Sequence, residues 1–296
     1  VGCESRDGQL ATHEIPHGIA PQLHFGHLAI HYFRHFSMLL YSIFYSSVCA
    51  VVSTPRVGRV NPRSDAFDAR SFHHLELYCA DAAATAGRFA HALGMDVLAT
   101  TRNNRFASTA IGSGDVRLAF TAPLAPPATD QSPPPDCLAA DLDYDPAAAH
   151  AFVAAHGGVA VRAVCLRVGD ASDAYRACVA DGGGEGVLPP RPLADGAGQV
   201  AEVRLYGDVV LRLLSLDDGY EGAHLPGYDD AAVASSGGVA SDDYGIARID
   251  HVVGNVWEMT PTISRLQAML GFHEFAEFTA EDVGTVDSGL NSKVLA

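Results

Sequence analysis

Lysine is almost missing from this sequence. Among 19 basic residues Lys293 is the one lysine, set against 35 acids and a formal charge of −16. Such an acidic surface repels phosphate backbones and anionic headgroups, which argues against nucleic-acid and membrane partners. Paired cysteine is missing too. The six cysteines (Cys3, Cys49, Cys79, Cys137, Cys165, Cys178) are scattered without a CxxC spacing. That excludes a disulfide frame and a thiolate zinc site, and implies reduced thiols in a cytosol-like compartment. An initiating methionine is also absent: Val1 opens the chain, so the amino end is expected to be incomplete or wrongly delimited. What is present is Ala-, Gly- and Val-rich, and 296 residues suffice for two domains, each with its own core.

The first 57 residues stand apart from the rest. Phe36 to Val52, "FSMLLYSIFYSSVCAVV", is apolar over a length at the low end for a membrane-spanning helix. Nothing after residue 60 needs a membrane, so this segment is read as a hydrophobic or unstructured leader. The same leader holds "HEIPH", His13 to His17, which satisfies the two-histidine pattern of zinc proteases. Pro16 lies inside the turn that would have to be helical, which disfavours that geometry. His24, His27, His31 and His35 would share one helix face, and neither histidine pattern supports a function.

From residue 60 a repeat emerges. Ser71 to Ala99 reads as an alternating strand, an Ala-rich helix and a second strand, with Gly94 suited to the helix end. His74 precedes Leu93 and Gly94 by 19 and 20 residues, and His251 precedes Leu270 and Gly271 by the same 19 and 20. Between them Ala160 to Gly184 reads as a strand and a helix opened by Asp170 or Ser172. Gly198 to Leu216 adds two strands joined at Tyr206-Gly207-Asp208. The first unit adds strands around 106–111 and 116–121, joined at Gly112-Ser113-Gly114. The predicted pattern is strand–helix–strand–strand–strand, near 71–121 and 160–216, with a third copy opening at 247 that Ala296 cuts short. A Pro-rich run from Ala122 to Asp136 joins the first two copies, and a helix capped by Asp145 with Pro146 in its first turn follows it. The Gly- and acid-rich stretch 217–246 reads as a linker.

The fold class is therefore α+β, and the βαβββ unit resembles the vicinal oxygen chelate superfamily, including its glyoxalase and dihydroxybiphenyl dioxygenase folds. One two-module domain (58–216) is complete, and a third module (247–296) is incomplete. More narrowly, "FHHLELYCADA", "AEVRLYGDVVLR", "DYGIARIDHVVGNV", "GFHEFAEFTAEDVGT" and "SGLNSKVLA" resemble plant 4-hydroxyphenylpyruvate dioxygenase, from about residue 58 to 296. That resemblance implies Fe(II) held by two histidines and a carboxylate. It implies conversion of 4-hydroxyphenylpyruvate, a 2-oxoacid, and O2 to homogentisate and CO2 in tyrosine catabolism. His251 matches the first iron ligand, and the chemistry suits a neutral imidazole on a strand facing into a barrel. Ser292, with Asn291 beside it, matches a substrate-pocket position, and Val253 and Val294 match apolar positions against the ring. Beyond the metal ligand no catalytic residue is identified. His74, the repeat partner of His251, belongs to a domain that the resemblance implies is metal-free.

The resemblance also fails at named places. The family's second histidine and its glutamate fall beyond Ala296, so one iron ligand of three is present and this stretch alone is expected to be inactive. Trp257 stands where the family has proline, Leu270 replaces a small polar residue, and the loop Thr100 to Ser108 is short. The alternative is a non-catalytic module that forms homo-oligomers or pairs with a full-length homologue. A glyoxalase- or extradiol-type enzyme is a third option, against which the carboxyl-terminal motifs argue. The expected location is cytoplasmic, with a plastid as the alternative.

Overall fold

The computed structural model of the protein describes residues 66–124, 143–231, 244–278 and 292–295. The leader with its apolar run, both histidine patterns, Asn291 and most of the Pro-rich join lie outside the described residues.

The first copy of the repeat forms as its sequence demands. Strand β1 (Ala69–Cys79) runs into helix α1 (Ala82–Leu93), then β2 (Asp96–Arg102), β3 (Phe106–Ser113) and β4 (Val116–Pro123). Asp81 starts α1 by accepting the Ala84 N–H at 2.9 Å, and Gly94 ends it in the left-handed region at φ 62°. Buried residues recur along α1 at Ala82, Thr85, Ala86, Phe89, Ala90 and Leu93, a helical stripe that faces the sheet. Phe89 meets Phe120 of β4 with ring centroids 4.8 Å apart.

Helix α2 (Pro146–Ala155) follows, capped by Asp145 with Pro146 in its first turn. The second copy then comprises β5 (Val159–Val168), α3 (Ala171–Arg176) with a π-helical turn at Ala177–Asp181, β6 (Gly186–Pro192), β7 (Gly198–Tyr206) and β8 (Val209–Leu216). Of the two candidate caps, Asp170 does the capping, accepting from Asp173 N at 2.8 Å. Strand β6 carries three prolines, Pro189, Pro190 and Pro192, and lies at the edge of the sheet, where a missing N–H costs no ladder bond.

A two-residue strand, β9 (Asp229–Asp230), completes a nine-stranded sheet in the order β6-β7-β8-β5-β1-β4-β3-β2-β9. The copies meet where β1 pairs antiparallel with β5, and each first strand pairs in parallel with its module's last, β1 with β4 and β5 with β8. Side chains alternate across it. Leu75, Leu77, Leu118, Phe120, Leu211 and Leu213 join the core under the helices, while His74, Glu76, Thr121 and Arg212 face the other side. Residues 217–231, read as linker from their composition, lie against that other side: His224 and Leu225 are buried, and β9 pairs with β2. Gly, Asp and Pro make the stretch look solvated, but its few apolar and aromatic residues are spaced to reach the sheet.

The third copy forms in part. Helix α4 (Met259–Leu270) ends at Gly271 with φ 73°, repeating the end of α1, and β10 (Glu274–Phe278) pairs with β11 (Ser292–Leu295). Met269 and Leu270 are buried, and Met269 lies so close to Gly182 that a Cβ there would come within 2.6 Å of its Cα. The opening strand expected around His251 is not formed: residues 244–256 have no strand pairing. A strand exists through its ladder, and this segment finds no ladder partner among the described residues. It lies instead along the β3–β4 turn, where Asp115 N–H donates to Ala247 O at 2.7 Å and Ser113 Oγ to Ile246 O at 2.9 Å.

Candidate functional site

Of the residues read from sequence as site members, His251 is half-exposed, and its Nδ1 lies 3.0 Å from a carboxylate oxygen of the neighbouring Asp250. Val253 is exposed, and Ser292 and Val294 sit on β11. Among the described residues no group of three metal-capable side chains contains His251. His251 thus stands as a single donor, one of the three that the facial iron site implied by the resemblance needs.

The polar cluster that does form lies in the first two modules. The register sets His74 opposite Cys165, Cys165 opposite Arg212 and Arg212 opposite Glu202, one row straight across β1, β5, β8 and β7. A bulge in β1 between Phe72 and His74 inserts one extra residue, so His73 is buried beside His74 rather than turned to the opposite face. Segment 217–231 brings His224 over both, with its ring centroid 4.8 Å from that of His74 and 5.8 Å from that of His73.

Hydrogen bonds order the cluster. Arg212 meets Glu76 and Glu202 carboxylate oxygens at 2.7 Å each. A guanidinium only donates, so His74 Nε2, 3.2 Å from Arg212 Nη1, must accept. The His74 proton then sits on Nδ1 and is donated to His73 Nδ1 at 2.8 Å. On the other flank Tyr228 Oη donates to Ser108 Oγ at 2.9 Å, Ser108 to Thr121 Oγ1 at 2.9 Å, and Thr121 to Glu76 at 2.6 Å. Both nitrogens of His224 are buried without a hydrogen-bond partner in the described structure.

Burial dominates the electrostatics. It lowers the His73 pKa to about 3, with Arg117, Arg167 and Arg212 adding to the effect. His74 is pushed down by burial and then by His224, His73, Arg212 and Arg117. His224 is pushed down by burial and then by His73, Arg117 and Arg212. All three rings are neutral near pH 7. Burial also pushes the Cys165 thiol up to about 12, so it is no thiolate nucleophile. Burial by itself would lower the Arg212 pKa, but Glu76 and Glu202 outweigh it and hold it well above its ordinary value.

Sequence reasoning singles out His74 only as a repeat partner and misses Glu76, Arg212 and Glu202. The signal is nonetheless legible: a lone charge inside an apolar strand, as in "VVLRLLSL", requires a buried counter-charge.

Residues 71–204 match the Glyoxalase/Bleomycin resistance protein/Dioxygenase superfamily. The chain is 48% identical over 246 residues to 4-hydroxyphenylpyruvate dioxygenase of Hordeum vulgare, covering 81% of this chain and 53% of that protein. It is 43% identical over 246 residues to the enzyme of that name from Arabidopsis thaliana, covering 80% and 54%. The chain thus spans about half the length of these curated relatives. Among solved structures, a variant of 4-hydroxymandelate synthase from Streptomyces coelicolor aligns with TM-score 0.52 and 20% identity, covering 72% of this chain and 55% of that one. At that identity the likeness concerns the fold alone.

Proposed function

We propose, from the premise that residues 71–204 belong to the glyoxalase/bleomycin resistance protein/dioxygenase superfamily, that this chain is the amino-terminal half of a dioxygenase acting on 4-hydroxyphenylpyruvate. The observation that carries the reading is the 48% identity over 246 residues to a protein of that name. In the whole protein the domain at 58–216 is a non-catalytic scaffold, and residues 247–296 open the catalytic domain. There His251 supplies one of three ligands to Fe(II), and Ser292, Asn291, Val253 and Val294 line the pocket for the 2-oxoacid. Residues 1–296 alone bring one ligand of the three. One imidazole does not hold Fe(II), so this stretch by itself makes no homogentisate.

The test is a paired assay with Fe(II), ascorbate, 4-hydroxyphenylpyruvate and O2. Residues 1–296 give no homogentisate above background. The same residues fused to the missing half of a plant relative give turnover that His251→Ala abolishes. Turnover by 1–296 alone overturns the claim of inactivity, and an active fusion indifferent to His251→Ala overturns the ligand assignment.

A second reading is favoured by the complete sheet and core of the first two modules: a non-catalytic module that pairs with itself or with a full-length homologue. Co-expression with a full-length relative separates the two, since mixed oligomers support pairing and a strictly monomeric chain counts against it.

A further inference from the structure

His73, His74 and Cys165 offer two imidazoles and a thiol whose donor atoms all lie within 4.8 Å of one another, buried in the sheet's capped face. Such a set, with two carboxylates next to it, has the chemistry of a soft or borderline metal site. The repeat also sets His74 in register with His251, the residue that the resemblance makes an iron ligand. Yet the strand row through the cluster runs His74, Cys165, Arg212, Glu202, so a guanidinium stands among the donors. It faces His74 Nε2 at 3.2 Å and two carboxylates at 2.7 Å each. The remaining His74 nitrogen is engaged with His73 at 2.8 Å. His74 therefore has no lone pair to spare, and a fixed positive charge lies beside it.

We infer that this cluster is a cation site whose resident cation is the Arg212 guanidinium, which excludes a metal ion from donors able to bind one. A planar fork suits this role because it donates to both carboxylates and the imidazole at once, where a metal would demand converging lone pairs and a deprotonated thiol. With the fork in place these donors take no metal, and the ligand that they would take without it is a divalent ion of the Zn(II) or Co(II) type.

Co(II) is the probe, because a bound thiolate gives it a charge-transfer absorption in the near ultraviolet. The full chain carries His251→Ala throughout, so the third module cannot contribute. With Arg212 in place no such band develops. The double variant Arg212→Gln/Glu202→Gln removes one charge of each sign, leaves Glu76 with the histidines and Cys165, and binds Co(II) stoichiometrically. Adding Cys165→Ser abolishes the band. A band in the Arg212 protein that Cys165→Ser removes overturns the inference, as does a folded double variant without one. Should the double variant not fold, the unaltered chain still decides. The Arg212 guanidinium N–H resonances are slow to exchange and do not respond to added Zn(II), whereas their loss or shift on Zn(II) addition would show that metal displaces the fork.

Discussion

The first and third modules share a helix of 12 residues ending in leucine and a left-handed glycine, yet their opening segments differ completely. His74 is fully buried on a strand paired on both sides, whereas His251 is half-exposed on a segment with no ladder. Local signals make the helix in both places: an amphipathic stripe and a glycine at the end suffice. A strand is made by its neighbours. β1 has β4 and β5 beside it, and the corresponding segment of the third module has neither kind of partner among the described residues. The difference teaches that a helix of the repeat is encoded locally, whereas its opening strand forms only beside partner strands, β4 of its own copy and β5 of the next in the case of β1.

The sharpest way to test that contrast is to remove one charge from the nine-stranded sheet of the first two modules and one from the third module. Arg212→Leu strands Glu76 and Glu202 in the sheet without their cation, and breaking a buried pair this way costs about 3–5 kcal/mol. Urea unfolding of the full chain, followed by far-UV circular dichroism, should show a loss of that size. Arg248→Leu, on the exposed segment before His251, should move the midpoint hardly at all. Equal losses would mean that the third module is as tightly built as the sheet of the first two.

Acid sharpens the comparison further. His73 titrates at about 3 in the folded protein against an ordinary 6.5. Between those values the unfolded chain takes the proton and the folded chain refuses it. Stability is therefore whole above the ordinary value and falls as pH drops toward the folded one, by about 1.4 kcal/mol per pH unit for each such histidine. His74 and His224 are shifted in the same direction. His73→Gln should flatten the acid limb of a stability–pH curve, and an unchanged limb would mean that the His73 ring takes up its proton as readily folded as unfolded.

Smaller again is the effect at the helix ends. Gly94 and Gly271 have φ of 62° and 73°, where a Cβ costs roughly 1–2 kcal/mol. Gly94→Ala should lower the global midpoint by about that amount. Gly271→Ala should do so only to the extent that α4 unfolds together with the sheet, which its packing of Met269 against Gly182 implies. Hydrogen exchange along α4 separates a global effect from a local one.

Much of this was legible in the sequence, and for reasons specific to each element. Asp81 and Asp145 as caps, Gly94 and Gly271 as stops, and the Gly207 turn all act through neighbours a few residues away. The edge strand β6 was hidden because three prolines mimic a loop, and its role depends on lying at the sheet's edge. The buried face of 217–231 was hidden because composition pointed to solvent while Leu225 and Tyr228 pointed inward. Arg212 inside an apolar strand announces a buried counter-charge, but the row His74–Cys165–Arg212–Glu202 does not show in the sequence, since it exists only through the pairing of β1, β5 and the β7–β8 hairpin. Even His73 depended on a one-residue bulge that no alternation pattern announces.

The smallest effect is expected at the chain's one tryptophan. Trp257 is fully exposed just ahead of α4, where the resemblance calls for proline. Trp257→Ala should change stability by less than about 0.5 kcal/mol, because no packed contact is lost. The same ring is a reporter confined to the third module. Its emission in the folded chain should match that of free indole in water and change little when urea unfolds the sheet, while circular dichroism records the full transition. If fusion to the missing half of a relative gives the His251 segment its ladder partners, that emission should shift to the blue and resist acrylamide quenching. An unshifted emission in an otherwise folded fusion would mean that the segment stays outside the sheet even with its partners present, and that His251 is kept from the site by its own chain rather than by a lack of neighbours.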